Sequence, residues 1–132
     1  MGHTIKLAAL GAVAFMVLDG IWLGLLMKNF YRDQLAPIVR LADGRLAPNW
    51  PAALVVYALL GTGIAFFVIP RAPSVSLAAT YGALFGLVVY GVYDFTNYST
   101  LRQWPIVLAL ADVAWGAVAS AACAAVMRTS FR

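Results

Sequence analysis

Residues 5–27 read IKLAALGAVAFMVLDGIWLGLLM, 23 positions that carry only two charged side chains, Lys6 near one end and Asp19 towards the other. About 20 apolar residues at 1.5 Å each cross the hydrocarbon core of a bilayer as an α-helix, so this run is a membrane crossing by length and composition. It is longer than the core of a signal peptide and lacks a small-residue cleavage site with a soluble domain behind it, so it is expected to stay in the protein. Three further runs follow, Ala52 to Ile69, Val75 to Phe95 and Ile106 to Met127. None alternates with the period of a barrel strand. Unpaired backbone groups are costly in hydrocarbon, so all four runs are expected to be helices.

The rest of the composition agrees. Of 132 residues, 64% are hydrophobic and 11% charged, against about 45–50% and 25% in a soluble domain. The expected fold is an all-α membrane protein, one four-helix transmembrane bundle over residues 1–132. With one His (His3), one Cys (Cys123) and no Glu, the chain cannot assemble a disulfide, or a zinc, haem or iron–sulfur site, from its own ligands, and no cofactor is expected. The net charge of +4 comes from basic residues scattered singly. That pattern suits anchors at lipid headgroups, and nucleic acid is not an expected partner.

The connection Lys28 to Pro51 is the least apolar segment, yet Phe30, Tyr31, Leu35, Ile38, Val39 and Leu41 recur at helical spacing. This predicts a short interfacial helix with Lys28, Arg32, Asp33 and Arg40 towards water, limited or kinked by Pro37, and a turn at Asp43-Gly44. Trp50-Pro51 opens the second crossing at the aromatic belt. Pro70-Arg71-Ala72-Pro73 closes a tight turn between the second and third crossings, and Thr96 to Pro105 joins the third and fourth. Lys6, Arg71, Arg128 and Arg132 fall on one side and Lys28, Arg32, Arg40, Arg45 and Arg102 on the other, a balance the positive-inside rule does not resolve. The expectation adopted is a bacterial inner-membrane protein with both termini cytoplasmic.

Three of the five aspartates lie in or at the edge of the crossings: Asp19, Asp94 and Asp112. A carboxylate at a helix centre costs about 2.5–3.5 kcal/mol on insertion scales, so it must face the bundle interior, pair or take up a proton. Asp19 and Asp112 lie at nearly the same depth and are expected to face each other and share one proton, with Asp94 at the membrane edge near Asn97 and in reach of Arg102 or Arg32. The spacing D-x-x-W occurs twice, Asp19/Trp22 and Asp112/Trp115, so each Asp shares a helix face with a Trp. Gly82, Gly86, Tyr90, Asp94 and Asn97 or Tyr98 form a stripe on the third crossing, and Asp112, Trp115, Gly116, Ala119, Ser120 and Cys123 on the fourth. Gly20-x-x-x-Gly24, Gly82-x-x-x-Gly86 and Gly116-x-x-x-Ser120 permit close helix contact. The expected polar pocket is Asp19, Trp22, Tyr90, Tyr93, Asp94, Asn97, Asp112 and Trp115. The competing reading makes the aspartates register locks, hydrogen-bonded to Trp, Tyr, Asn97 or backbone groups.

Val92-Tyr93-Asp94-Phe95-Thr96-Asn97-Tyr98, followed by Trp104-Pro105 and Asp112-Val113-Ala114-Trp115-Gly116, resembles a family of small bacterial inner-membrane proteins, domain of unknown function 2177. Leu18 to Gly24 and Phe30-Tyr31-Arg32 also resemble its first-helix and loop patterns. The resemblance implies a four-helix inner-membrane protein and no particular activity.

The residues therefore carry the functional expectation: a pocket that binds or processes a lipid-like or other amphipathic ligand, opening laterally or towards the long loop. Its aromatic walls and few convergent polar groups suit such a ligand, and in a catalytic version one protonated Asp would act as acid and another as base. Two other readings compete, a proton-coupled small exporter working as an oligomer and a structural subunit or assembly factor of a membrane complex. In the last, the second crossing, whose only polar side chains are Tyr57 and Thr62, would face lipid or a partner. The expected partners are membrane lipids, with a homo-oligomer or partner membrane protein in the latter two.

Overall fold

The computed structural model describes residues 1–130, so the Arg132 counted above lies outside the described residues. Four helices are long and apolar enough to cross a membrane: Gly2–Leu26, Trp50–Arg71, Val75–Thr100 and Ile106–Thr129. The first is α1 (Gly2–Ile21) closed by a wide turn, Trp22–Leu26, in which the Met27 amide donates to the Trp22 carbonyl at 2.7 Å. That i→i+5 bond places one extra residue in the turn. A short helix α2 (Lys28–Gln34) follows, then a two-residue hairpin, β1 (Leu41–Ala42) against β2 (Arg45–Leu46).

The second crossing is α3 (Trp50–Gly63) with a further wide turn at Ile64–Val68, and the third and fourth are α4 (Val75–Thr100) and α5 (Ile106–Thr129). Asn49 Oδ1 caps α3 by accepting from the Ala52 amide at 3.2 Å, and Ser74 Oγ caps α4 by accepting from the Leu77 amide at 3.1 Å. Each satisfies a backbone donor that the helix leaves open.

Small residues decide which helices touch. α4 and α5 pack along their length as an antiparallel hairpin, while α3 lies on α1 and α1 on α5. A Cβ on Gly82 would meet the Ser120 carbonyl at 2.6 Å, one on Gly86 would strike the Gly116 carbonyl, and one on Gly116 the Tyr90 ring. Gly61 is held as closely against the backbone of Ala8 and Ala12. Phe15, Ile64, Cys123 and Met127 fill the centre. α3 approaches α4 through its end, where Gly63 meets Phe85 and Ile64–Val68 reaches α4.

Several expectations need correction. The helical spacing of Phe30 to Leu41 is realised only over Lys28–Gln34, because the residue before Pro37 is biased away from helix and the chain then turns into the hairpin. Its turn is the expected Asp43-Gly44, both at positive φ, 53° and 75°. The third crossing's helix runs on to Thr100, five residues past the expected end at Phe95, so Asp94 lies within a continuous helix. Gly20 and Gly24 touch nothing: a Cβ on either has no neighbour within 4 Å.

Candidate functional site

The two D-x-x-W patterns meet because α1 and α5 run antiparallel. Helical side chains lean towards their own N-terminus, so Trp22 leans deeper and Trp115 outward, and the two indoles meet between the aspartates. They stack with centroids 4.5 Å apart and planes 2° from parallel. Each tryptophan then serves the other helix's carboxylate. Trp115 Nε1 donates directly to Asp19 Oδ1 at 2.8 Å. Trp22 Nε1 donates to the Tyr31 hydroxyl at 2.9 Å, and that hydroxyl donates to Asp112 Oδ1 at 2.7 Å. Asp19 and Asp112 are thus held by separate donors, Trp115 and Tyr31.

Tyr31 was read only as part of the loop helix, and nothing in its spacing marks it as a partner of a residue 81 positions on. It is buried, packed with Trp104, Leu108 and Ala109, and brings α2 down onto the bundle. Burial, and then the Asp112 charge, push its phenol above the usual tyrosine range, so it stays protonated and remains a donor.

Asp94 is fully buried, and among the described residues neither of its oxygens has a hydrogen-bond partner. The Asp112 carboxylate and the Trp104 indole flank it. Among the described residues neither Arg32 nor Arg102 forms an ion pair with Asp94, and Arg32 pairs with Asp33 at 3.3 Å. Trp104, on the Leu101–Pro105 connection, is buried over this end of the bundle and meets the Tyr93 ring edge-on at 5.7 Å. Asn97, half-buried, stands beside Tyr93. Tyr90 packs its ring against Gly116. The structure therefore gathers Asp19, Trp22, Asp112, Trp115 and Tyr31 into one network, sets Asp94 beside it, and leaves Tyr93 and Asn97 at its margin.

Beside the network lies a cleft of about 540 Å³ between α1, α3 and the long connection. Asp19 and Tyr57 face it, and the Tyr57 hydroxyl approaches the Asp19 carboxylate. Gly20 and Gly24 leave it open along α1, Leu23, Leu35, Val39 and Val56 give apolar walls, and Tyr31, Arg40, Trp50 and Tyr93 are also in its lining. The second crossing, which the subunit reading turns towards lipid or a partner, contributes a wall and a phenol to this cleft. Counting 1.5 Å per residue from the centre of each helix, Asp19, Tyr57, Tyr93, Asp94 and Asp112 all lie about 5–10 Å towards the long connection. Among the described residues no group of three or more His, Cys, Asp or Glu could hold a metal ion. The chemical means at hand are carboxyl groups, phenols and indoles, which bind, orient or pass protons.

A family model described as "Predicted membrane protein (DUF2177)" matches residues 4–129. The chain belongs to this family. No curated protein and no solved structure matches this DUF2177 protein. The match and the four spans make it a membrane protein, in keeping with the resemblance read from its Y-D-x-T-N-Y and D-x-x-W elements.

Proposed function

We propose that this DUF2177 protein binds a lipid-like, amphipathic ligand in the cleft between α1 and α3. The observation that carries the reading is the cleft itself, largely apolar along its walls, with one carboxylate, Asp19, three phenols, Tyr31, Tyr57 and Tyr93, and one cation, Arg40, in its lining. Its volume lies within the about 300–1,000 Å³ of small-molecule sites. Trp50, Val56 and Tyr93 are exposed on its rim, which suits entry of a chain sideways from the bilayer. The Trp115 bond fixes the Asp19 carboxylate, so a hydroxyl or amine on the ligand would meet a preset acceptor. The setting proposed is the bacterial inner membrane, with both termini cytoplasmic.

Photo-crosslinking in native membranes with a diazirine-bearing fatty acid, fed to cells so that it enters their lipids, tests the reading. Labelled peptides are expected from residues 16–24 and 53–57, and replacing Gly20 by Leu is expected to remove them. Labelling spread evenly over the exposed faces of all four helices, unchanged by Gly20→Leu, would rule the cleft out.

A further inference from the structure

We propose that the head of this ligand is an anionic phosphate, held outside the cleft in a basic recess at the end of α1; the inference rests on the cleft as the site of the hydrocarbon chain. The recess, about 390 Å³, is lined by Lys28, Arg32 and Arg45 with Asn29, and no carboxylate lines it. Leu23, Gly24 and Leu46 line both spaces, so recess and cleft adjoin at one point. Among the described residues only Arg32 of the three cations has an ion pair, to Asp33.

Three features make this a place for a head joined to a chain. The recess begins where the first membrane helix ends, at Leu26, the level at which lipid phosphates meet basic side chains. Gly24 lines both spaces, and a Cβ added there would meet nothing within 4 Å, so no side chain from this position stands between them. The Asp43-Gly44 turn, at positive φ, folds the hairpin back so that Arg45 lies across from Lys28 of α2. A cationic head would meet three like charges there. A head without charge would leave them unmatched.

The test uses delipidated full-length protein and an equimolar mixture of dioleoyl phosphatidic acid and dioleoyl phosphatidylcholine, which differ in head charge and not in chains, with bound lipid read by native mass spectrometry. Phosphatidic acid is expected to be enriched about thirtyfold, on the scale of two basic side chains meeting an anionic head. In Lys28→Gln/Arg45→Gln, two exposed positions, the enrichment is expected to fall to near parity while total bound lipid is kept. Gly24→Leu, whose side chain enters open space, is expected to displace both lipids with the melting temperature unchanged. Parity in the natural protein, or enrichment that survives the double substitution, would overturn the phosphate site while leaving the cleft reading intact. Retention of both lipids by Gly24→Leu would overturn the cleft reading and the site with it.

Discussion

At the scale of single residues, Tyr31 is the joint on which the network turns, because it is at once acceptor for Trp22 and donor to Asp112. Tyr31→Phe keeps the ring and removes both bonds. It is expected to destabilise the protein by about 1–3 kcal/mol, the cost of leaving a hydrogen-bonded carboxylate without its donor. Unfolding by denaturing detergent measures this, and in the double variant with Asp112→Asn the two losses are expected to fall short of their sum, since both remove one shared bond. Independent, additive losses would show that the bond does not stabilise the fold. Trp115→Phe, by contrast, retains an aromatic partner for Trp22 while stripping the donor from Asp19, so its effect is expected to appear in lipid retention more than in circular dichroism.

At the scale of helices, the glycines divide into two groups that a sequence pattern cannot separate. Gly86→Ala would drive a methyl into the Gly116 carbonyl and the Ser120 hydroxyl, and is expected to cost about 1–3 kcal/mol as an overpacked core does. Gly20→Ala meets open space and is expected to be neutral or to stabilise by up to about 1 kcal/mol through helix propensity. Detergent unfolding of the pair checks both, and equal losses at the two positions would contradict the packing described. The same contrast shows what the sequence could carry. Span length and hydropathy are local, so the four crossings were legible in it, as were the paired D-x-x-W faces. Whether a glycine stripe faces a neighbour depends on which helices pair. Burial of Asp94 depends on how far α4 continues and on Trp104 lying over it. The docking of Tyr31 onto α5 is a long-range contact that no spacing within α2 announces.

At the scale of the whole molecule, hollows open at both ends, the cleft towards the long connection and one of about 440 Å³ beside Pro70, Pro73 and Arg128 at the other, with a packed centre between them. Cys123, the single cysteine, is buried on α5, its thiol donating to the Gly11 carbonyl at 3.3 Å, so it reports on the packed centre. In mild detergent it is expected to resist maleimide and to react after unfolding in sodium dodecyl sulfate. Fast labelling of the folded protein would mean that α1 and α5 part readily.

The crossed pairing of α1 and α5 also sets a timetable. The donor for Asp19 is 96 residues further along the chain, and the acceptor for Tyr31 is 81 residues further. While the chain is being made, the first crossing therefore enters the membrane with a carboxylate whose Trp115 donor has not been synthesised, the Tyr57 hydroxyl reaching it first with the second crossing. Its full set of donors is complete only when the last crossing arrives. Nascent chains halted after Pro105 should accordingly stay close to the insertion machinery and be short-lived, while chains carried through α5 should be released as a folded bundle; site-specific crosslinking from position 19 would distinguish the two stages. Completion of the network is thus an end-of-synthesis event, and a quality checkpoint for the assembled protein.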